Sequence, residues 1–238
     1  KREKLSLKKQ KKKAKNPSQT ELIQLQEYFQ SRRYNDDKRL AESITEKFPY
    51  HTYSFKILAT ILALQGRVSE AVVIGEKLVS IDTHDADAYY NLGLAYQELG
   101  KLDKAEECYK VVVILKPKHA DAHNNLGNTL HGRGKLQLAE LHIKEAIAIK
   151  PDFTEAYNNL GLTLYELGRL EEALVAYKGA IENNPDLSGL NAHIALALSG
   201  LQFTRFRPDL QDLFIRLLEA KTTVRPGDIC LKILSLLR

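Results

Sequence analysis

Apolar positions along the chain recur at helical spacing in paired short blocks. Within residues 86–119, Ala88, Leu92 and Tyr96 mark one stripe, and after a break Leu102, Ala105, Tyr109, Val112 and Leu115 mark a second. The two-block pattern returns with a step of 34 residues. Gly66, Gly100, Gly134 and Gly168 follow that step, as do Ala71, Ala105, Ala139 and Ala173, and Leu58, Leu92, Leu126 and Leu160. Pro49, Pro117, Pro151 and Pro185 keep the same phase, with Thr83 interrupting the series. Each unit therefore predicts two amphipathic helices joined as an antiparallel hairpin. The glycines fall where the first helix must end in left-handed backbone, and the prolines stop the second helix. Gly93, Gly127 and Gly161 sit inside first helices, where their small size is expected to let Ala105, Ala139 and Ala173 approach.

One hairpin alone leaves its apolar stripe uncovered, so successive units must stack. The expected organisation is a disordered basic tail at 1–17, then five units at 18–187, then a partial repeat with capping helices at 188–238. The units run 18–51, which is degenerate, 52–85, 86–119, 120–153 and 154–187. After the helix NAHIALALSGLQ, the segment FTRFRP breaks the period, and DLQDLFIRLLEAK and ICLKILSLLR, the latter capped by Asp228, read as the C-terminal cap. The same helices would also suit an oligomer contact or a junction with a following domain. An ending on Leu236, Leu237 and Arg238 and the absence of any Met point to a processed or truncated chain.

Charge changes the picture only at the N-terminus. Residues 1–15 hold eight Lys, one Arg and one Glu, so the total of +5 leaves about −3 for all that follows. Such a tail attracts nucleic acid or anionic membrane weakly and without base stacking, since no aromatic residue interrupts its lysines. Cys108 and Cys230 cannot build a disulfide framework, no apolar run reaches membrane-spanning length, and the basic start lacks the apolar core of a secretory signal. The expectation is a cytoplasmic protein.

The string DAYYNLGLAYQELGKLDKAEECYKVVVILKP, echoed by HNNLGNTL and YNNLGLTLYELGRLEEALVAYKGAI, resembles the tetratricopeptide repeat, securely over 52–187 and loosely over 18–51. The resemblance implies an all-α, right-handed α-solenoid, or superhelix, whose concave side is lined by the first helix of each pair. Tyr89, His123 and Tyr157 replace the usual Trp, Gly75 replaces a packing aromatic and Thr83 the terminal Pro, so the 52–85 unit is expected to pack less tightly.

Catalytic and metal chemistry is not expected. There is no phosphate-binding glycine loop, His119 and His123 straddle a hairpin boundary without further ligands, and the acidic neighbours of Cys108 oppose a thiolate. Neither enzyme activity nor a cofactor or metal is predicted. The groove is more informative. Places 2, 5, 6, 9, 12 and 13 of each unit share the helix face opposite the packed one. Asn91, Asn125 and Asn159 all hold the sixth place, and Asn124, Asn158 and Asn128 flank them. A carboxamide both donates and accepts, so such a file can pair with the main chain of an extended peptide, or with its neighbours as a structural ladder. Tyr90, Gln97, His131 and Tyr165 complete the face, with Asp87, Asp121 and Glu155 at the second place. Together with Glu98 and Glu166, and against Lys56, the lining is acidic and favours a neutral or basic segment.

The asparagine file is similar to the ladder with which the tetratricopeptide domain of O-linked N-acetylglucosamine transferase holds substrate polypeptides. The cationic clamp that other members use for chaperone tails is missing, since places 5 and 6 carry only Lys56 as a cation. The function implied is a protein-interaction scaffold. The alternative is the substrate-recruiting part of a larger glycosyltransferase or sulfotransferase.

Overall fold

The computed structural model describes residues 16–31, 33–184 and 189–200, together with Leu213, Ile215 and Arg216. All regular structure among them is helical: α1 (Gln19–Gln30), α2 (Tyr34–Lys47), α3 (Thr52–Leu64), α4 (Val68–Ile81), α5 (Ala86–Glu98), α6 (Leu102–Leu115), α7 (Ala120–Gly132), α8 (Leu136–Ile149), α9 (Thr154–Glu166), α10 (Leu170–Asn183) and α11 (Leu190–Gly200). The chain divides into two compact units, Lys1–Pro117 and Lys118–Arg238. Each is a stack of helical hairpins, the α-solenoid class that the period predicts.

Hairpin turns follow from backbone chemistry. Gly66, Gly100, Gly134 and Gly168 have φ between +69° and +74°. A Cβ at any of them would meet nothing, so glycine is required there by conformation and not by space. Around Gly66 the Arg67 N–H donates to the Leu62 carbonyl and the Gly66 N–H to Ala63, both at 2.9 Å. This pair of bonds satisfies the last carbonyls of α3, and the same pattern closes α5, α7 and α9. Second helices end just before Pro117 and Pro151, as expected. Where Thr83 interrupts the proline series, Asp82 makes the turn instead, its Oδ1 accepting the His84 N–H at 3.0 Å. Asp85 then caps α5 by accepting the Ala88 N–H at 3.0 Å.

Packing inside the hairpins differs from the sequence reading in one respect. The groups that press most closely on Gly93, Gly127 and Gly161 are the side chains of Tyr109, Ile143 and Tyr177, and of the alanines only Ala139 approaches as expected, its carbonyl oxygen lying 3.1 Å from where a Gly127 Cβ would be; a Cβ on Gly161 would lie 2.3 Å from the Tyr177 ring. The glycine and the large residue form a fitted pair, and Ala105, Ala139 and Ala173 are fully buried beside them. Polar bridges tie neighbouring hairpins. In the first unit, Glu76 accepts from the Tyr96 hydroxyl and pairs with Lys104 Nζ at 3.1 Å. In the second, Arg169 reaches Glu140 at 2.7 Å and also holds Glu172.

The degenerate 18–51 segment is also a hairpin. Ser18 and Glu21 form a reciprocal cap on α1, and Leu25, Ala41 and Ile44 pack against Ile57, Leu58 and Ile61. Asp37 of α2 is fully buried, with no hydrogen-bond partner for either oxygen among the described residues. Burial pushes its carboxyl up to about 6. At the far end Leu213 is buried and Arg216 Nε donates to Asn191 Oδ1 at 2.8 Å. The remainder of the expected cap, the basic tail, Pro185 and Cys230 lie outside the described residues. No helix among those described is long and apolar enough to cross a membrane.

Candidate functional site

The first helices carry the candidate site, because their places 2, 6, 9 and 13 point away from the packed hairpin core. On α5 those places are Asp87, Asn91, Leu94 and Glu98, all exposed. On α7, Asp121 and Asn128 are exposed and Asn125 half-buried. On α9, Glu155 and Glu166 are exposed and Asn159 half-buried. The sixth-place amides are therefore accessible in both units.

The flanking amides behave differently. Asn124 is only 6% exposed, and its Oδ1 accepts from Asn159 Nδ2 at 3.0 Å. Asn158 repeats the arrangement one hairpin on, with its Oδ1 3.0 Å from His193 Nδ1. Within the second unit the sixth place of one hairpin thus bonds to the fifth place of the hairpin before it. Asn124 belongs to this interhelical packing and not to the open face. His193, which breaks the asparagine series in sequence, occupies the same structural place and makes the same kind of bond.

Other face residues are partly engaged. Gln97 Oε1 accepts from the buried Tyr109 hydroxyl at 2.9 Å, and the half-buried Tyr90 ring lies 6.0 Å from the Tyr109 ring. His131 Nε2 sits 3.2 Å from Glu166 Oε1, at ion-pair distance but out of line for a hydrogen bond. Tyr165 is half-buried. Charge on the face is redistributed: Lys116 Nζ lies 2.6 Å from Asp87 and offsets it, whereas Lys56 Nζ, the cation among the lining residues, is drawn to Asp85 at 2.8 Å. Asn91 and Glu98 make no hydrogen bond or ion pair with any described residue.

Between α3 and α5, over a floor from α4, opens a pocket of about 290 Å³ lined by Ala59, Ala63, Leu64, Gly75, Leu92 and Leu94, with Asn91 and Glu98 on its edge. The sequence signal for it was Gly75 in a series otherwise made of Tyr109, Ile143 and Tyr177. Catalytic or metal groupings do not accompany the face: no cluster of three or more metal-ligating side chains occurs among the described residues. Cys108 is a buried free thiol, pushed up to about 12 by burial and then by the Glu107 charge.

The profile described as "Tetratricopeptide repeat" matches residues 86–119 and 154–187, and a "TPR repeat" profile matches 127–168. The chain carries tetratricopeptide repeats. Over 60 residues it is 37% identical to the rice (Oryza sativa subsp. japonica) protein "Probable UDP-N-acetylglucosamine–peptide N-acetylglucosaminyltransferase SPINDLY", which is 25% of this chain and 6% of that protein. The match thus spans a small fraction of that relative's length. Among solved structures, MamA superposes with a TM-score of 0.66 at 24% identity, covering 70% of this chain and 91% of its own. YrrB, described as a TPR protein with an unusual peptide-binding site, superposes with a TM-score of 0.64 at 18% identity, covering 82% and 98%. These likenesses place the fold among tetratricopeptide solenoids.

Proposed function

We propose that the first-helix faces hold an extended, neutral or basic segment of a partner protein, with Asn91, Asn125 and Asn159 pairing to its main chain. The observation that carries this reading is the exposed stripe Asp87, Asn91, Leu94 and Glu98 on α5, a helix otherwise packed into the stack. Asn91, with no partner among the described residues, offers a donor and an acceptor to any backbone that passes, and Asn159, whose Nδ2 is given to Asn124, keeps its Oδ1 as an acceptor. Asn128, Asn158, Tyr90, Tyr165, Gln97 and His131 border the path, and Asp121, Glu155 and Glu98 supply negative charge along it. The YrrB description lends support by analogy of fold.

The test is a pull-down and a polarisation titration comparing the intact chain with the Asn91→Ala, Asn125→Ala, Asn159→Ala triple variant, with circular dichroism on both. At about 0.5–1.5 kcal/mol per hydrogen bond, the triple variant should bind at least about tenfold more weakly. Unchanged binding by a folded triple variant would end this proposal. A second reading, favoured by the SPINDLY match, is that these repeats recruit substrate polypeptides for a glycosyltransferase. Capture of the same peptides by a longer product of the same gene, followed by sugar transfer onto them, separates the two.

A further inference from the structure

The α3–α4 hairpin lacks what the three hairpins after it possess. In those a glycine on the first helix faces a large buried side chain on the second: Gly93 with Tyr109, Gly127 with Ile143, Gly161 with Tyr177. In α1–α2 the sizes are reversed, with Leu25 on the first helix and Ala41 on the second, both buried. In α3–α4 the corresponding residues are Ala59 and Gly75, separated from those pairs by the 34-residue step. No ring enters the gap, and the pocket of about 290 Å³ stands in its place. Leu92 leans partly toward it, its Cδ1 lying 3.0 Å from where a Gly75 Cβ would be. Apolar cavities of about 150 Å³ admit benzene, so a phenyl or phenol group with its methylene fits this larger opening.

Its rim narrows the choice of occupant. Leu64 and Leu94 are 59% and 41% exposed, leaving apolar surface in water on both sides of the mouth. Asn91 and Glu98 stand beside them without partners among the described residues, whereas Lys56 is already held by Asp85 at 2.8 Å. The uncompensated charge at the mouth is thus the Glu98 carboxylate, which repels anionic groups and attracts a cation.

We infer that this pocket receives an aromatic side chain from the partner segment, supplying in trans the ring that Gly75 omits, and that a basic residue next to that aromatic meets Glu98. This rests on the first-helix face being the binding surface and adds to it a specificity-determining position. A segment held by amides alone is recognised through its backbone, whatever its sequence. An aromatic anchor in a preformed apolar pocket gives the register and selectivity that the amides cannot.

Two measurements on the full chain test this separately from the asparagine reading. Free p-cresol, the tyrosine side chain as a small molecule, is titrated while leucine methyl resonances are followed. Shifts should be confined to the lining leucines Leu64, Leu78, Leu92 and Leu94. In parallel, a fluorescent peptide Gly-Ser-Gly-Phe-Arg-Gly-Ser-Gly should bind at least about tenfold tighter than the same peptide with Ala for Phe. Ala59→Gly combined with Gly75→Phe restores the fitted pair and should abolish both the cresol shifts and the Phe preference without lowering the melting temperature. Phe is chosen because Ala63 stands where Gln97 receives the Tyr109 hydroxyl. If that variant does not fold, Leu64→Ser with Leu94→Ser, at exposed positions, should bring Phe-peptide affinity down to that of the Ala peptide. Equal affinity for the two peptides, or cresol shifts absent or scattered over other leucines, overturns the inference. The cresol readout follows leucines, so unchanged peptide binding by the folded triple alanine variant, with cresol shifts and Phe preference intact, removes the asparagine pairing and leaves the aromatic anchor on the same face standing.

Discussion

The two compact units are built from the same hairpin but satisfy it unequally. In Lys118–Arg238 each glycine meets its large side chain, Asn159 and Asn158 are tied across hairpins, and Arg169 links two carboxylates. In Lys1–Pro117 one hairpin replaces the fitted pair with Ala59 and Gly75, and another, with Leu25 and Ala41 at those places, buries Asp37 without a partner among the described residues. Both departures cost stability, through lost contact in the first case and desolvation in the second. The less satisfied unit carries the pocket, whereas the sixth-place amides are present in both.

The largest expected effect comes from breaking the satisfied unit. Tyr177→Ala should lower stability by about 3–5 kcal/mol in urea titrations, because the ring is fully buried against Gly161 and relaxation cannot fill the gap. Asp37 should matter next, in the opposite direction. Its folded carboxyl is raised to about 6 from the ordinary 3.8. Below about pH 4 it is protonated folded and unfolded alike and contributes nothing. Between pH 4 and 6 the unfolded chain ionises it while the folded chain keeps the proton, so stability falls, and above pH 6 the loss is constant. Asp37→Asn should therefore remove that slope and gain about 2 kcal/mol at pH 7, which thermal melts across pH 4–7 will show.

Gly161→Ala and Gly75→Ala form a sharper pair. Alanine favours a helix by about 1 kcal/mol over glycine, yet a Cβ at Gly161 would collide with the Tyr177 ring at 2.3 Å. A net loss of about 1–2 kcal/mol is expected there in denaturant titrations. At Gly75 the nearest atom is the movable end of Leu92 at 3.0 Å, so the same substitution should gain up to about 0.5–1 kcal/mol. Equal signs at the two sites would erase the proposed contrast between the units. The smallest difference lies among the amides. Asn91→Ala should weaken peptide binding without moving the melting temperature, whereas Asn159→Ala should lower both, since Asn124 then loses its donor in a buried place at a cost of about 1 kcal/mol.

Much of this was legible beforehand because the constraints are local and periodic. A glycine that must adopt positive φ, such as Gly100, and a proline that must end a helix, such as Pro117, fix each hairpin within its own 34 residues. Gly75 stood out in the same way, as an odd member of a series. Interactions between hairpins were not legible. The Asn159 to Asn124 bond depends on an offset of one place between neighbouring first helices, and the Arg169 to Glu140 pair on where a long flexible side chain lies. Asp37 gave no signal, since an acid in the first turn of a helix is ordinarily exposed and favourable.

That one-place offset has an evolutionary corollary. Because the bond joins only adjacent hairpins, duplicating or excising a whole module recreates it at the new junction wherever the incoming amides match. Losing a single residue inside a first helix would instead rotate the rest of that helix by about 100° and strand its side chains on the wrong side. Length can therefore drift in multiples of the module while the recognition code within each one is preserved.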